Sequence, residues 1–112
     1  MSMIEFNVLM THKVLLKKRD RNYSGDFVIL SSVPLDGFVE YGNYLITNEK
    51  GEKVEAKAIV FLKDNCGIDI NHEYWMVDQT FPYVRKDMEV LKIDPIDDPR
   101  TGLTHHYELF AR

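Results

Sequence analysis

The sequence predicts an all-β fold: a small β-barrel of about six or seven short antiparallel strands with long loops and little helix. Three observations predict it. Apolar residues recur with a two-residue period in several runs, of which Lys53–Leu62 is the strongest. Clusters of Gly, Pro, Asn and Asp punctuate the runs at close spacing. No stretch carries a convincing 3.6-residue apolar stripe, with room left for short helices in residues 1–12 or 63–73. The length of 112 residues fits a single domain, residues 1–112, with one hydrophobic core.

Taken in order, Ile4, Phe6, Val8 and Met10 alternate, so residues 1–10 read as a short edge strand or a partly ordered arm. Lys13–Lys18 is a first strand entering the basic cluster Lys17, Lys18, Arg19 and Arg21, placed in a loop or at a strand end. Phe27–Leu30 is the next run. Pro34–Gly37 is a turn signal, and Phe38–Tyr41 and Tyr44–Thr47 are further runs on either side of Gly42-Asn43. Asn48–Glu52 is a hairpin loop with Gly51 at the left-handed position.

Lys53–Leu62 starts as a strict alternation, Val54/Ala56/Ala58 against Glu55/Lys57, and ends apolar on both sides. That is the pattern of a strand in a sheet that curls under other elements. Lys63–Asn71 is rich in turn residues, and Glu73–Val77 is a short aromatic strand. Tyr83–Ile93 follows, with Val84, Met88 and Val90 in one register and Leu91 and Ile93 in the other. The change of phase at Val90-Leu91 predicts a β-bulge. Asp97–Gly102 is a turn fixed by Pro99 and Gly102, and Thr104–Arg112 alternates as a final strand.

Composition narrows the function classes. The net charge of −4 gives no general electrostatic drive towards nucleic acid. The single Cys66 excludes an internal disulfide and a multi-cysteine zinc site, and it points to a reducing compartment. No apolar run reaches the roughly 18 residues of a membrane span. Residues 1–10 also lack the basic and small-residue pattern of a signal peptide, so a soluble cytosolic domain is expected.

Candidate chemistry is sparse. His105 and His106 are neighbours on a strand and should face opposite ways, which argues against a shared metal. Asp94, Asp97 and Asp98 flank prolines in a loop, where aspartates commonly cap turns. Cys66 sits in a turn-like Asp64-Asn65-Cys66-Gly67 with no base beside it. The residues point to a binding domain whose loops and edges form the working surface; no catalytic residue, metal site or cofactor is expected.

The order of features resembles that of one family. Val14-Leu15-Leu16-Lys17-Lys18-Arg19, Gly51-Glu52-Lys53-Val54-Glu55-Ala56, Ala58-Ile59-Val60-Phe61-Leu62, Tyr74-Trp75 and above all Asp98-Pro99-Arg100-Thr101-Gly102-Leu103-Thr104-His105-His106-Tyr107-Glu108 stand in sequence over most of the chain. In these the chain resembles the head-completion, or head–tail connector (stopper), proteins of tailed bacteriophages, also described as minor capsid proteins. Residues 1–10 have no counterpart in that pattern. The resemblance implies a small barrel that is monomeric alone. On the connector it would form a ring below the portal and adaptor proteins, closing the filled head and offering a surface to tail or tail-terminator proteins. It implies a place in the virion at the head–tail interface, and in the bacterial cytoplasm during assembly. Contact with transiting DNA would be weak at most, and contact with membrane absent.

On that view the assembly surfaces are the loop Arg19–Asp26 with Lys17, Lys18, Arg19 and Arg21, the segment Lys63–Asn71 with Asp64 and Asn65, and the turn holding Asp98, Pro99, Arg100 and Gly102. His105, His106 and Tyr107 belong to the structural strand. Two rivals remain. One is an OB or SH3-like barrel holding nucleic acid through Lys13, Lys17, Lys18, Arg19 and Arg21, with Tyr23 or Phe27 stacking on bases. The other is a metal-dependent enzyme built on His105, His106, Asp97 and Asp98.

Overall fold

The structure, a computed structural model, describes residues 10–48, 50–63 and 75–112. Six strands form one antiparallel sheet: β1 (His12–Arg21), β2 (Phe27–Thr47), β3 (Lys53–Leu62), β4 (Trp75–Phe81), β5 (Arg85–Asp97) and β6 (Thr104–Ala111). Their spatial order is β1-β2-β3-β6-β5-β4, and β4 pairs back onto β1 to close the barrel. Closure leaves the first part of β2, up to Asp36, as a stretch paired on one side only among the described strands. No helix occurs among the described residues.

The interior takes alternate residues from every strand, as the pleat dictates. Val14 and Leu16, Val39, Ala58, Val60 and Leu62, Val77, Met88, Val90 and Ile93, and Leu109 with Ala111 form one buried cluster. Ala58 lies opposite Ala111, which in turn lies opposite Val90. Small side chains at that crossing leave space for the larger ones above it.

The sequence reading of β3 agrees with the structure residue for residue, and Gly51 has the positive φ of 79° expected of the hairpin. Asn48 organises that turn: its side-chain oxygen accepts the amides of Lys50 and Glu52, each at 3.0 Å. The phase change in β5 is also present, as a register shift between Val90 and Lys92.

Four expectations need correction. Pro34–Gly37 is not a turn, because β2 runs unbroken for 21 residues through it. Pro34 pairs with Leu15, and no described strand adjoins its other side, so its missing N–H costs no ladder bond. Gly37 is where β2 changes partner, facing His12 on one side and Leu62 on the other. A Cβ there would lie 2.8 Å from the Phe61 carbonyl oxygen, so only glycine permits the coil. Gly42-Asn43 is likewise a bulge within the strand, between the pairs Tyr41–Ala58 and Tyr44–Ala56.

The second correction concerns β4, which extends to Phe81 instead of stopping at Val77, because Asp78 and Gln79 are buried by partners on other strands. Third, Tyr83 and Val84 lie ahead of β5 and are exposed. Fourth, Asp94 and Asp97 are strand residues, so the last turn is Asp98–Leu103. The expectations for residues 1–9 and for 64–74, including Asp64, Asn65 and Cys66, fall outside the described residues.

The antiparallel pairings define two ends. The β1/β2 and β5/β6 turns lie at one end. The β2/β3 and β4/β5 turns lie at the other, together with the starts of β1 and β5. Around the wall, the β1/β2 and β5/β6 hairpins stand on opposite sides.

Candidate assembly surfaces

The basic cluster is the end of β1, the second of the two placements the sequence allows, and its members are used differently. Lys17 points along the outer wall and is nearly buried. Its Nζ lies 2.9 Å from Asp78 Oδ1 and 2.5 Å from Asp87 Oδ1. Burial pulls the Lys17 ammonium down, but hydrogen bonds to Asp87 and Asp78 outweigh it and hold the pKa above 10.5. The Lys17 hydrogen bond in turn holds Asp87 below the usual carboxylate range. Asp87 has a left-handed φ of 62°, a conformation in which its amide donates to Asp78 Oδ1 at 2.7 Å. Lys17 therefore ties β1 to β4 and to the start of β5, which is a structural role.

Lys13 pairs with Asp36, and Arg19 lies 4.0 Å from Glu89. Three of the five cations offered for nucleic acid are thus engaged with carboxylates of the same chain. Lys18 sits over the Trp75 ring at 5.8 Å. Arg19 and Arg21 both cover the Phe27 ring, at 4.1 and 4.2 Å, so Phe27 is capped by cations instead of open for base stacking.

Beyond Lys18 the β1–β4 pairing ends, and β1 with the first part of β2 continues as a two-stranded arm. Every residue from Arg21 to Ser32 is exposed. Asn22 closes the arm, its side chain accepting the amides of Ser24 (2.9 Å) and Asp26 (3.1 Å), with Gly25 at φ 83°. The run Phe27-Val28-Ile29-Leu30 is 37–58% exposed, and Tyr23 at the tip is fully exposed. Sequence reading places Phe27–Leu30 in a strand and Tyr23 in the loop Arg19–Asp26, with no signal that the strand leaves the barrel.

The predicted turn is built as expected in kind, with Asp98 as its organiser. The Asp98 amide donates to the Leu103 carbonyl at 2.8 Å, and Gly102 N donates to the Asp98 carbonyl at 2.8 Å. Asp98 Oδ1 accepts the Arg100 amide at 2.9 Å, and that bond holds the carboxyl below its ordinary value. A group so depressed contributes above its unfolded pKa and loses that contribution as pH falls through the folded one. The Arg100 amide should therefore show an NMR titration in acid below the normal aspartate range, which Asp98→Asn abolishes.

Gly102 has φ 72°, and a Cβ there would meet nothing within 4 Å. Gly102→Val should thus lose about 1–2 kcal/mol from backbone strain, since the added Cβ itself meets open space. Urea denaturation measures it, and Gly102→Asn should recover part of the loss. Pro99→Ala, at an exposed turn position, should cost about 0.5–1 kcal/mol.

His105 and His106 do not face apart. The β5–β6 register shifts between Ile96 and Asp97, so His105 sits in a bulge and its ring swings beside that of His106. Their Nδ1 atoms are 2.9 Å apart, with the rings nearly perpendicular. Burial lowers the His106 pKa and the neighbouring His105 adds to this, against Glu108, whose Oε1 lies 3.6 Å from Nε2. Tyr107 packs against the core as a strand residue. Among the described residues no three His, Cys, Asp or Glu side chains converge as metal ligands. A cleft of about 360 Å³ opens here between Ile96, Asp97, Asp98, Pro99 and the two histidines, with Arg100 on its rim.

The far end carries further exposed apolar residues, of which the sequence reading places Leu45, Tyr83 and Val84 in strands and Phe81 in none. Leu45, Phe81, Tyr83 and Val84 are exposed there, and Tyr41 lies under the Arg85 guanidinium at 5.2 Å. Below them a polar knot closes the barrel. Buried Gln79 accepts the Tyr41 hydroxyl and donates to the Phe81 carbonyl at 3.2 Å. His12 Nδ1 accepts the Val39 amide at 3.0 Å while its ring stacks on Phe38. Burial raises the Tyr41 pKa against the opposing charge of Arg85.

Neither protein-family models nor curated proteins match this sequence.

Proposed function

We propose that this chain is a structural subunit of the head–tail connector of a tailed phage or prophage. In this role it forms a ring below the portal and adaptor proteins, closes the filled head and presents the surface to which the tail attaches. The observation that carries the reading is the pair of exposed apolar surfaces at opposite ends of one closed barrel. Phe27–Leu30 and Leu103 lie at one end, and Leu45, Phe81, Tyr83 and Val84 at the other. Exposed apolar groups on the hairpins at each end are candidate protein contacts, and a layer between two neighbours needs contacts on each side.

The charge pattern supports it as well. Lys13, Lys17 and Arg19 are matched by carboxylates of the same chain, which keeps phosphate contacts few and lets DNA slide past without being held. The test is size-exclusion chromatography with light scattering, on the chain alone and mixed with portal and adaptor proteins of the same phage. The expected result is a monomer that moves into a high-mass complex with them. A chain that stays monomeric beside those proteins and instead binds single-stranded nucleic acid at low salt would overturn the proposal.

A further inference from the structure

We propose that the β1/β2 arm of one copy docks on the β5/β6 hairpin of the next, with Tyr23 seated in the cleft beside Asp97 and His106. The inference deepens the connector reading, on which its ring closure rests. The head-to-tail contact itself stands on the two surfaces.

The donor is an arm that the described part of its own barrel leaves uncovered. From Lys18, where pairing with β4 stops, to Tyr23 it reaches about 16 Å along the strand direction. No described strand adjoins the outer edge of β2 from Phe27 to Asp36. Its residues Phe27 to Val33 carry no charge, and the edge lacks the lysines that usually block strand addition until Pro34. A fully exposed tyrosine leads this arm, and tyrosine is a residue type that anchors interfaces when it fills a pocket.

The acceptor is the only other hairpin at that end of the barrel among the described residues. It offers exposed Leu103 and half-buried Ile96 as apolar contacts and the 360 Å³ cleft as a pocket. The signs of charge are complementary. Residues 18–30 hold Lys18, Arg19 and Arg21 against Asp20 and Asp26, a net of +1. Residues 94–108 hold Asp94, Asp97, Asp98 and Glu108 against Arg100, a net of −3.

Placement decides between a second copy docked head to tail and one docked arm to arm. Donor and acceptor share one end of the barrel and stand on opposite sides of its wall. Repeating such a contact turns each copy about an axis roughly parallel to the barrel and can close a ring. Arm-to-arm pairing would leave the cleft and Leu103 uncovered and would stop at a dimer.

The test uses single-cysteine chains in a Cys66→Ser background. Chains carrying Ser24→Cys, which keeps Tyr23, and Leu103→Cys are mixed at a concentration high enough for weak pairing of free chains and oxidised, with Leu45→Cys at the far end as the exposed control. The expected product is a mixed 24–103 disulfide formed at least tenfold faster than either 24–45 or 103–45. Dominant 24–24 product would mean arm-to-arm docking, and rates equal to the control would mean no docking; either overturns the proposal. A parallel assay adds Tyr23→Ala/Leu30→Ser chains to portal and adaptor proteins. If native and variant chains join the complex equally and in the same stoichiometry, the arm contact is wrong and the connector reading survives. If the native chain does not join at all, the connector reading is wrong, and the disulfide rates alone judge the contact.

Discussion

Leu109→Ala is expected to lower the stability of the protein by about 3 kcal/mol, among the largest effects of any single truncation here. Leu109 is 0% exposed on β6 and sits opposite Val60 of β3 and Ile93 of β5. It therefore lies where the last strand completes the ring. A barrel wall is tied on both sides and cannot collapse far into a void, so most of the cavity cost should persist. For a chain of this length the loss corresponds to a melting temperature lower by roughly 10–15 °C, readable by calorimetry. Leu45→Ala is the control, because Leu45 is 74% exposed and should change stability by less than about 0.5 kcal/mol. Equal losses for the two variants would contradict the assignment of β6 to the centre of the core.

Lys17→Met is expected to cost about 2–3 kcal/mol, although it leaves an apolar chain of similar length on the strand. The Asp78 side chain is 7% exposed and would keep its charge with only the Asp87 amide still donating to it. The double variant Lys17→Met/Asp78→Asn should recover more than half of the loss, because the amide oxygen can keep that bond and no buried charge remains. The pH dependence has a definite sign. The Lys17 pKa is raised, so its contribution is complete below 10.5 and is lost as pH climbs through the folded value. The Asp87 pKa is depressed, so its contribution is complete above 3.8 and is lost as pH falls through the folded value. The stability gap between native and Lys17→Met chains should be widest between those limits and narrow outside them. A gap that is flat with pH would mean that packing of the lysine stem, not its charge, supports β1.

How far this could be read from the sequence depended on whether each residue's role was local. β3 was fully legible because its alternation is unbroken and Asn48 and Gly51 mark the hairpin ahead of it. The bulge in β5 was legible because it changes the phase of the apolar pattern itself. Pro34 and Gly37 misled, since both are turn residues by propensity. Here one lies beside an open edge and the other where two backbones nearly touch, and both conditions are tertiary. The end of β4 was lost for the same reason. Asp78 and Gln79 look like a loop until Lys17 and Tyr41 arrive from other strands.

The geometry of the candidate surfaces was legible in part. The turn at Asp98–Gly102 was found because proline and glycine announce it, and Asp98, Pro99 and Arg100 do lie together around the cleft. Lys17 was assigned to a surface when it belongs to the wall. The arm itself and the apolar far end were missed, because an unbroken apolar run such as Phe27–Leu30 reads as a buried strand whether or not the barrel covers it. Only the end of pairing beyond Lys18, and the exposure of Tyr83 and Val84, separates the two cases.

The most direct measurement of the central claim is amide hydrogen exchange on the free chain and on the chain assembled with portal and adaptor proteins. The account predicts new protection at residues 21–32 and 98–106 at one end and at residues 81–84 at the other, with Lys53–Leu62 unchanged. Unaltered exchange at both ends in a complex that contains the chain would contradict it, since the barrel would then be held by surfaces other than the two described.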